Sequence, residues 1–172
     1  MEDIDSNVGF SMTSPLPYVL VTSADKEGRA NVLGVSWVTK LSFDPFLMAV
    51  SIGHTRYSHD LIKNSGEFVI CYPSAEQSKQ ALYCGFHSGR CEDKFARSGL
   101  AATPSRKVKP PTIEGCTVAF ECRLFDSHEV GDHTLFVGEV VAVTGDPERP
   151  YHTFVTVGQR PIAMGPKGNV RS

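Results

Sequence analysis

The chain has 172 residues, the size of one ordinary domain with enough buried surface to fold alone. Hydrophobic residues make up 41% and charged residues 21%, which excludes a disordered chain, and a net charge of −2 gives no reason to expect nucleic acid as a partner. No apolar run approaches the roughly 18 residues of a membrane span. The acidic start MEDIDSNVGF lacks the basic and apolar regions of a signal peptide, so the cytosol is the expected location.

In chain order, residues 18–23 (YVLVTS) read as a strand, DKEGR as a turn with Gly28 at a left-handed position, and residues 30–38 (ANVLGVSWV) as the return strand. The apolar run 46–52 (FLMAVSI) suits a strand buried on both faces. A short helix then follows, with Ser58 as N-cap, Asp60 in its first turn and Gly66 just past its end. Residues 67–73 (EFVICYP) form another strand. Ser74 and Gln77 have capping-box spacing and predict a helix over roughly 75–84. Residues 85–112 look irregular except for a short helix in DKFARSGL. TVAFECRLF alternates as a half-buried strand, HTLFVGEVVAVTGD is a long strand with a bulge expected at Gly138, and TFVTVG is a last short strand. Six or seven strands without regular intervening helices predict a closed or partly closed antiparallel barrel, in one domain over 1–172.

Several chemistries are absent. There is no GxGxxG after a strand, no P-loop and no GxSxG elbow. The pairs His54/His59 and His128/His133 are each five apart, and no HExxH or CxxC exists, so no metal site is expected. The five cysteines are an odd number. Cys71 and Cys122 sit in apolar strands and read as core residues. Cys84 and Cys91 flank a glycine-containing segment and are expected to be more exposed; a redox thiol there requires a depressed pKa.

Four segments can carry chemistry. In SIGHTRYSHDLI, Arg56 and Ser58 fall at a helix start, where free amides and the helix dipole favour an anion. An ordinary capped helix with a solvated arginine has the same sequence. In HSGRCEDKF, Arg90 and Lys94 form a second basic loop, which also fits a flexible surface segment. In GVSWVTKLSFDP, the strand edge at Ser36, Trp37 and Thr39 can meet the polar rim of a flat heterocycle, or Trp37 can be core. In EVGDHTLFVGEV, Asp132 and His133 precede a long strand, which puts His133 at the sheet's end as a ligand contact, a proton donor or a structural histidine.

Taken together and in this order, these stretches resemble the flavin reductase-like FMN-binding family, over roughly residues 14–145. ANVLGVSWVTKLSFDPFLMAVSI, RYSHDLIKNSGEFVICYP, SGRCEDKF and GDHTLFVGEVV carry the resemblance. It implies a mainly β, Greek-key-like antiparallel split barrel that forms a homodimer with FMN near its interface. It implies that Ser36, Trp37, Val38 and Thr39 face the flavin ring, and that Ser51, Arg56, Tyr57 and Ser58 surround the phosphate. Arg90 and Lys94 would add charge on the phosphate side, and His133 would lie where a nicotinamide stacks. Two positions depart from the family pattern: Cys91 stands where aspartate is common, and Phe46 where a second proline is common. The implied activity is NAD(P)H-dependent reduction of FMN, with FAD as another flavin and an electron-acceptor protein or a free-flavin user downstream. The alternatives are a flavoredoxin-like carrier with tightly held FMN and, from another class, a non-enzymatic binding barrel.

Overall fold

The structure, a computed structural model, describes residues 2–147 and the backbone of residues 153–157, 160–164 and 170–171. In chain order, helix α1 (Ser6–Met12) is followed by strands β1 (Leu16–Pro17), β2 (Val19–Ala24), β3 (Ala30–Val35), β4 (Val38–Phe43) and β5 (Phe46–Gly53). Helix α2 (Tyr57–Ser65) leads into β6 (Glu67–Tyr72), a 3₁₀ turn (Ala75–Gln77) and helix α3 (Ser78–Phe86). Then come α4 (Lys94–Ser98), the two-residue strands β7 (Ala102–Thr103) and β8 (Thr112–Ile113), and the long strands β9 (Val118–Val130) and β10 (His133–Gly145). The chain closes with β11 (Thr153–Val157), β12 (Arg160–Met164) and β13 (Val170–Arg171). Of the expected strand TFVTVG, Gly158 lies outside the described residues.

Seven strands form one antiparallel sheet in the order β3-β2-β6-β9-β10-β5-β4. The sheet curls until β3 lies beside β5, which gives the expected split barrel. Side chains alternate across a strand. In β2, Val19 and Val21 therefore join Val50, Phe68, Ile70 and Phe136 inside the barrel, while Leu20 points outward. The outer face does not meet water there. Leu20, Val32 and Val69 pack under Ala81 and Cys84 of α3 and under Val108 and Ile113 of the segment that follows.

That segment has little regular structure, so its amides need other partners. Two carboxylates supply them. Glu121 of β9, fully buried, accepts from the backbone N–H of Arg106 (2.9 Å) and Lys107 (2.7 Å), and Glu67 of β6 accepts from Lys109 N–H (2.9 Å). The loop is thereby fixed against the sheet.

Local signals account for much of the chain. Gly28 (φ 85°) turns the first hairpin and Gly66 (φ 69°) ends α2 in the left-handed region. Ser74 N–H donates to Gln77 Oε1 at 3.0 Å, the expected reciprocal cap. A register shift falls between Val137 and Gly138, at the expected bulge. Other expectations are corrected. The strand expected over 30–38 stops at Val35, and a separate strand, β4, runs from Val38 to Phe43. The N-cap of α2 is Arg56, not Ser58; Ser58 lies one position inside the helix, where its side chain is buried. The irregular stretch 85–112 contains the small β7–β8 pair. Helix α1 was not foreseen: it has no buried residue, and its Asp5 cap is its clearest sequence signal.

Candidate functional site

The break between β3 and β4 organises the site. β3 pairs with β2 on one edge of the sheet, and β4 pairs with β5 on the other. Ser36 and Trp37 cross the seam where the curled edges meet. Trp37 C=O accepts from Ser51 N–H at 2.9 Å, which ties the crossing to β5. Trp37 is not a core residue; it is 49% exposed. Its ring lies 4.7 Å from that of His133, tilted by 35°. His133 opens β10 opposite Gly53, and its imidazole lies beside that glycine. His133 Nδ1 is 2.7 Å from Asp132 Oδ1. That hydrogen bond holds the Asp132 carboxyl below the usual carboxylate range and favours the Nδ1–H tautomer.

Behind these rings lies a cavity of about 200 Å³, lined by β3, the seam, Ser51–Gly53, Arg56, Gly85 and His133. Its depth depends on two glycines. A Cβ at Gly34 or at Gly85 would overlap the hydroxyl of Tyr18, which sits between them and donates to Ala81 C=O at 3.1 Å. Helix α3 thus approaches β3 closely enough for Gly85 to form part of the wall.

A second cavity of about 90 Å³ adjoins the first, and Leu33 and Arg56 line both. Its remaining walls are Asn31, Thr55, Tyr57 and Ser58 on one side and Phe86, His87, Ser88, Gly89 and Lys94 on the other. It sits at the N-terminal end of α2, where the first amides and the helix dipole favour an anion. Lys94 is only 3% exposed. Its Nζ donates to Cys84 C=O (2.8 Å) and His87 C=O (3.0 Å), which leaves one of three ammonium protons for the cavity. Burial pulls its pKa from the ordinary 10.5 down to about 8. The chemistry on offer is recognition of a phosphate next to a slot for a planar ring.

The expected site residues divide into three groups. Ser36, Trp37, Ser51, Arg56 and His133 line the larger cavity, and Arg56, Tyr57, Ser58 and Lys94 line the smaller. Val38, Thr39 and Arg90 line neither. Thr39 is exposed, and its hydroxyl donates to Lys40 C=O at 3.2 Å. Arg90 is engaged elsewhere: its guanidinium donates to Asp60 at 2.6 Å and lies 5.1 Å from the centre of the Tyr57 ring. Among the lining residues that the sequence reading did not single out are Asn31, Gly34 and Gly85. Each acts through a contact far away in sequence, and no local signal marks it.

The cysteines are also resolved. Cys71 and Cys122 are fully buried, as expected. Cys84 is buried rather than exposed, and burial pushes its thiol pKa up, which argues against a reactive thiolate. Cys91 is exposed. Among the described residues, no three or more His, Cys, Asp or Glu side chains are placed to hold a metal ion. No described helix is long and apolar enough to cross a membrane.

The chain is similar to several known proteins. An NADH-dependent flavin reductase of Rhodococcus sp. is 30% identical over 138 residues, 76% of this chain and 71% of the relative. The solved flavoredoxin of Desulfovibrio vulgaris (Miyazaki F) is 30% identical with a TM-score of 0.80, covering 89% of this chain and 88% of that one. An FMN-binding protein from Thermus thermophilus, solved with bound p-hydroxybenzaldehyde, is also 30% identical; its TM-score is 0.82, and 92% of each chain is covered. Residues 11–160 match the flavin reductase like domain, and the chain therefore belongs to the flavin reductase-like family.

Proposed function

We propose that the two joined cavities hold FMN, and that the protein is an NAD(P)H-dependent flavin reductase. One observation carries the reading: a ring-walled slot and a cationic pocket meet at Leu33 and Arg56, the arrangement a phosphate tethered to a planar ring requires. The donor set fits the group. Arg56 can grip a phosphate with two parallel hydrogen bonds, and Lys94 and Ser58 each offer one more donor. FAD carries the same ring and first phosphate and suits the same donors.

When bound, the flavin supplies the redox chemistry, accepting a hydride and passing electrons on. The protein's own task is binding and orientation. Trp37 and His133 present ring faces at the mouth of the larger cavity, where a nicotinamide would have to stack. With Nδ1 committed to Asp132, His133 keeps Nε2 for an incoming group. The names of the Rhodococcus and Thermus relatives support NADH and FMN respectively. The reading includes a homodimer and a downstream acceptor of electrons. Exposed Leu41, Phe43 and Phe125 on β4 and β9 support the dimer, which light scattering would test.

The decisive experiment mixes purified protein with NADH or NADPH and excess FMN and follows the nicotinamide absorbance at about 340 nm. Multiple turnovers support the reductase. Oxidation of one equivalent only supports the second reading, a carrier with tightly held FMN, which the likeness to a flavoredoxin favours. A colourless protein that binds no added FMN overturns both.

A further inference from the structure

We propose that Asn31 sets the polarity of the smaller cavity: by donating to Ser58 it turns the Ser58 hydroxyl proton toward a bound phosphate. The inference rests on the phosphate reading above and deepens it. Asn31 stands on β3 and is 4% exposed; Ser58, on α2, is 1% exposed. Both line the cavity, and Asn31 Nδ2 donates to Ser58 Oγ at 2.7 Å. A serine hydroxyl has one proton to give and two lone pairs to receive with. Once the amide N–H occupies a lone pair, the proton is left for an acceptor, and an anion in the cavity is such an acceptor. The reversed amide would do the opposite. Its carbonyl oxygen would take the Ser58 proton, and the hydroxyl would meet an anion with lone pairs alone.

Gly89 leaves room for the amide beside the loop. The loop backbone at Gly89 sits so close to Asn31 Oδ1 that a Cβ there would overlap it, and the Tyr57 ring lies 3.2 Å from the same point. The carbonyl end of Asn31 faces the loop and the amino end faces Ser58. Asn31 is therefore a positioning residue that acts through Ser58. The loop's lack of a side chain at residue 89 is part of the device.

The test compares two ligands that share the flavin ring and differ in the phosphate. Protein freed of flavin is titrated with FMN and with riboflavin, following flavin fluorescence. Asn31→Asp accepts where the amide donated, so FMN affinity should fall about tenfold to a hundredfold while riboflavin affinity stays within about threefold. Asn31→Ala tests the route. It should lower the FMN-to-riboflavin ratio in the native background and add no further loss in Ser58→Ala. A full additional loss in Ser58→Ala, or an equal fall for both ligands, overturns the role of Asn31. Arg56→Ala is the control: if it too leaves the ratio unchanged, the phosphate reading has failed rather than the inference built on it.

Discussion

The two halves of the site are made in different ways. The smaller cavity is prepaid in charge and hydrogen bonding: a helix start, a buried ammonium with two of its protons already committed, and a hydroxyl gripped by an amide. The larger cavity owes its form to absences, namely a strand that stops at Val35 and glycines at 34 and 85 that leave space. The first kind of construction gives affinity for one group. The second leaves two ring faces, Trp37 and His133, open to whatever stacks there. The division suits a protein that must hold one molecule and react with another.

Five experiments would sharpen or break this contrast. Gly34→Val puts a branched side chain into the Tyr18 hydroxyl and the backbone of Gly85, and should cost about 3 kcal/mol or more in urea unfolding, with FMN and riboflavin affinity both lost. Arg56→Ala should weaken FMN by about 1.5–3 kcal/mol in equilibrium titration and riboflavin far less. Trp37→Ala should weaken FMN and riboflavin alike, by about 0.5–1.5 kcal/mol, because a lost ring contact is blind to the phosphate. If it separates the two ligands, the cavities are not independent.

The fourth concerns Lys94. Between pH about 8 and 10.5 the unfolded chain holds a proton that the ligand-free folded protein has released. Stability of the ligand-free protein should therefore rise with pH across that window. FMN affinity should move the other way, falling several-fold as the ammonium is lost above pH 8. Lys94→Met should flatten both profiles. The smallest effect is expected for Arg90→Ala. It breaks an exposed pair with Asp60 and should change stability or FMN affinity by less than about 1 kcal/mol. A larger loss of FMN would restore Arg90 to the phosphate.

The sequence was most legible where cause and effect lie within a few residues. The turn at Gly28, the end of α2 at Gly66, the reciprocal cap of Ser74 and Gln77 and the bulge at Gly138 could all be read locally. So could a helix start beside Arg56. What escaped depends on partners. The pattern from 30 to 43 is extended throughout, and nothing in it says that the chain changes sheet edges at Ser36 and Trp37. Cys84 looked exposed beside a glycine, but the α3 face that carries it is laid on the sheet. Arg90 looked like a phosphate ligand, yet Asp60, 30 residues earlier, engages it. Asn31 gave no signal because its role exists only once β3, α2 and the Gly89 loop are together.

Tyr18 lines neither cavity, yet its hydroxyl fills the space that side chains at 34 and 85 would need. Those three positions are therefore sterically coupled. A designer who wants bulk at either glycine must first shorten residue 18.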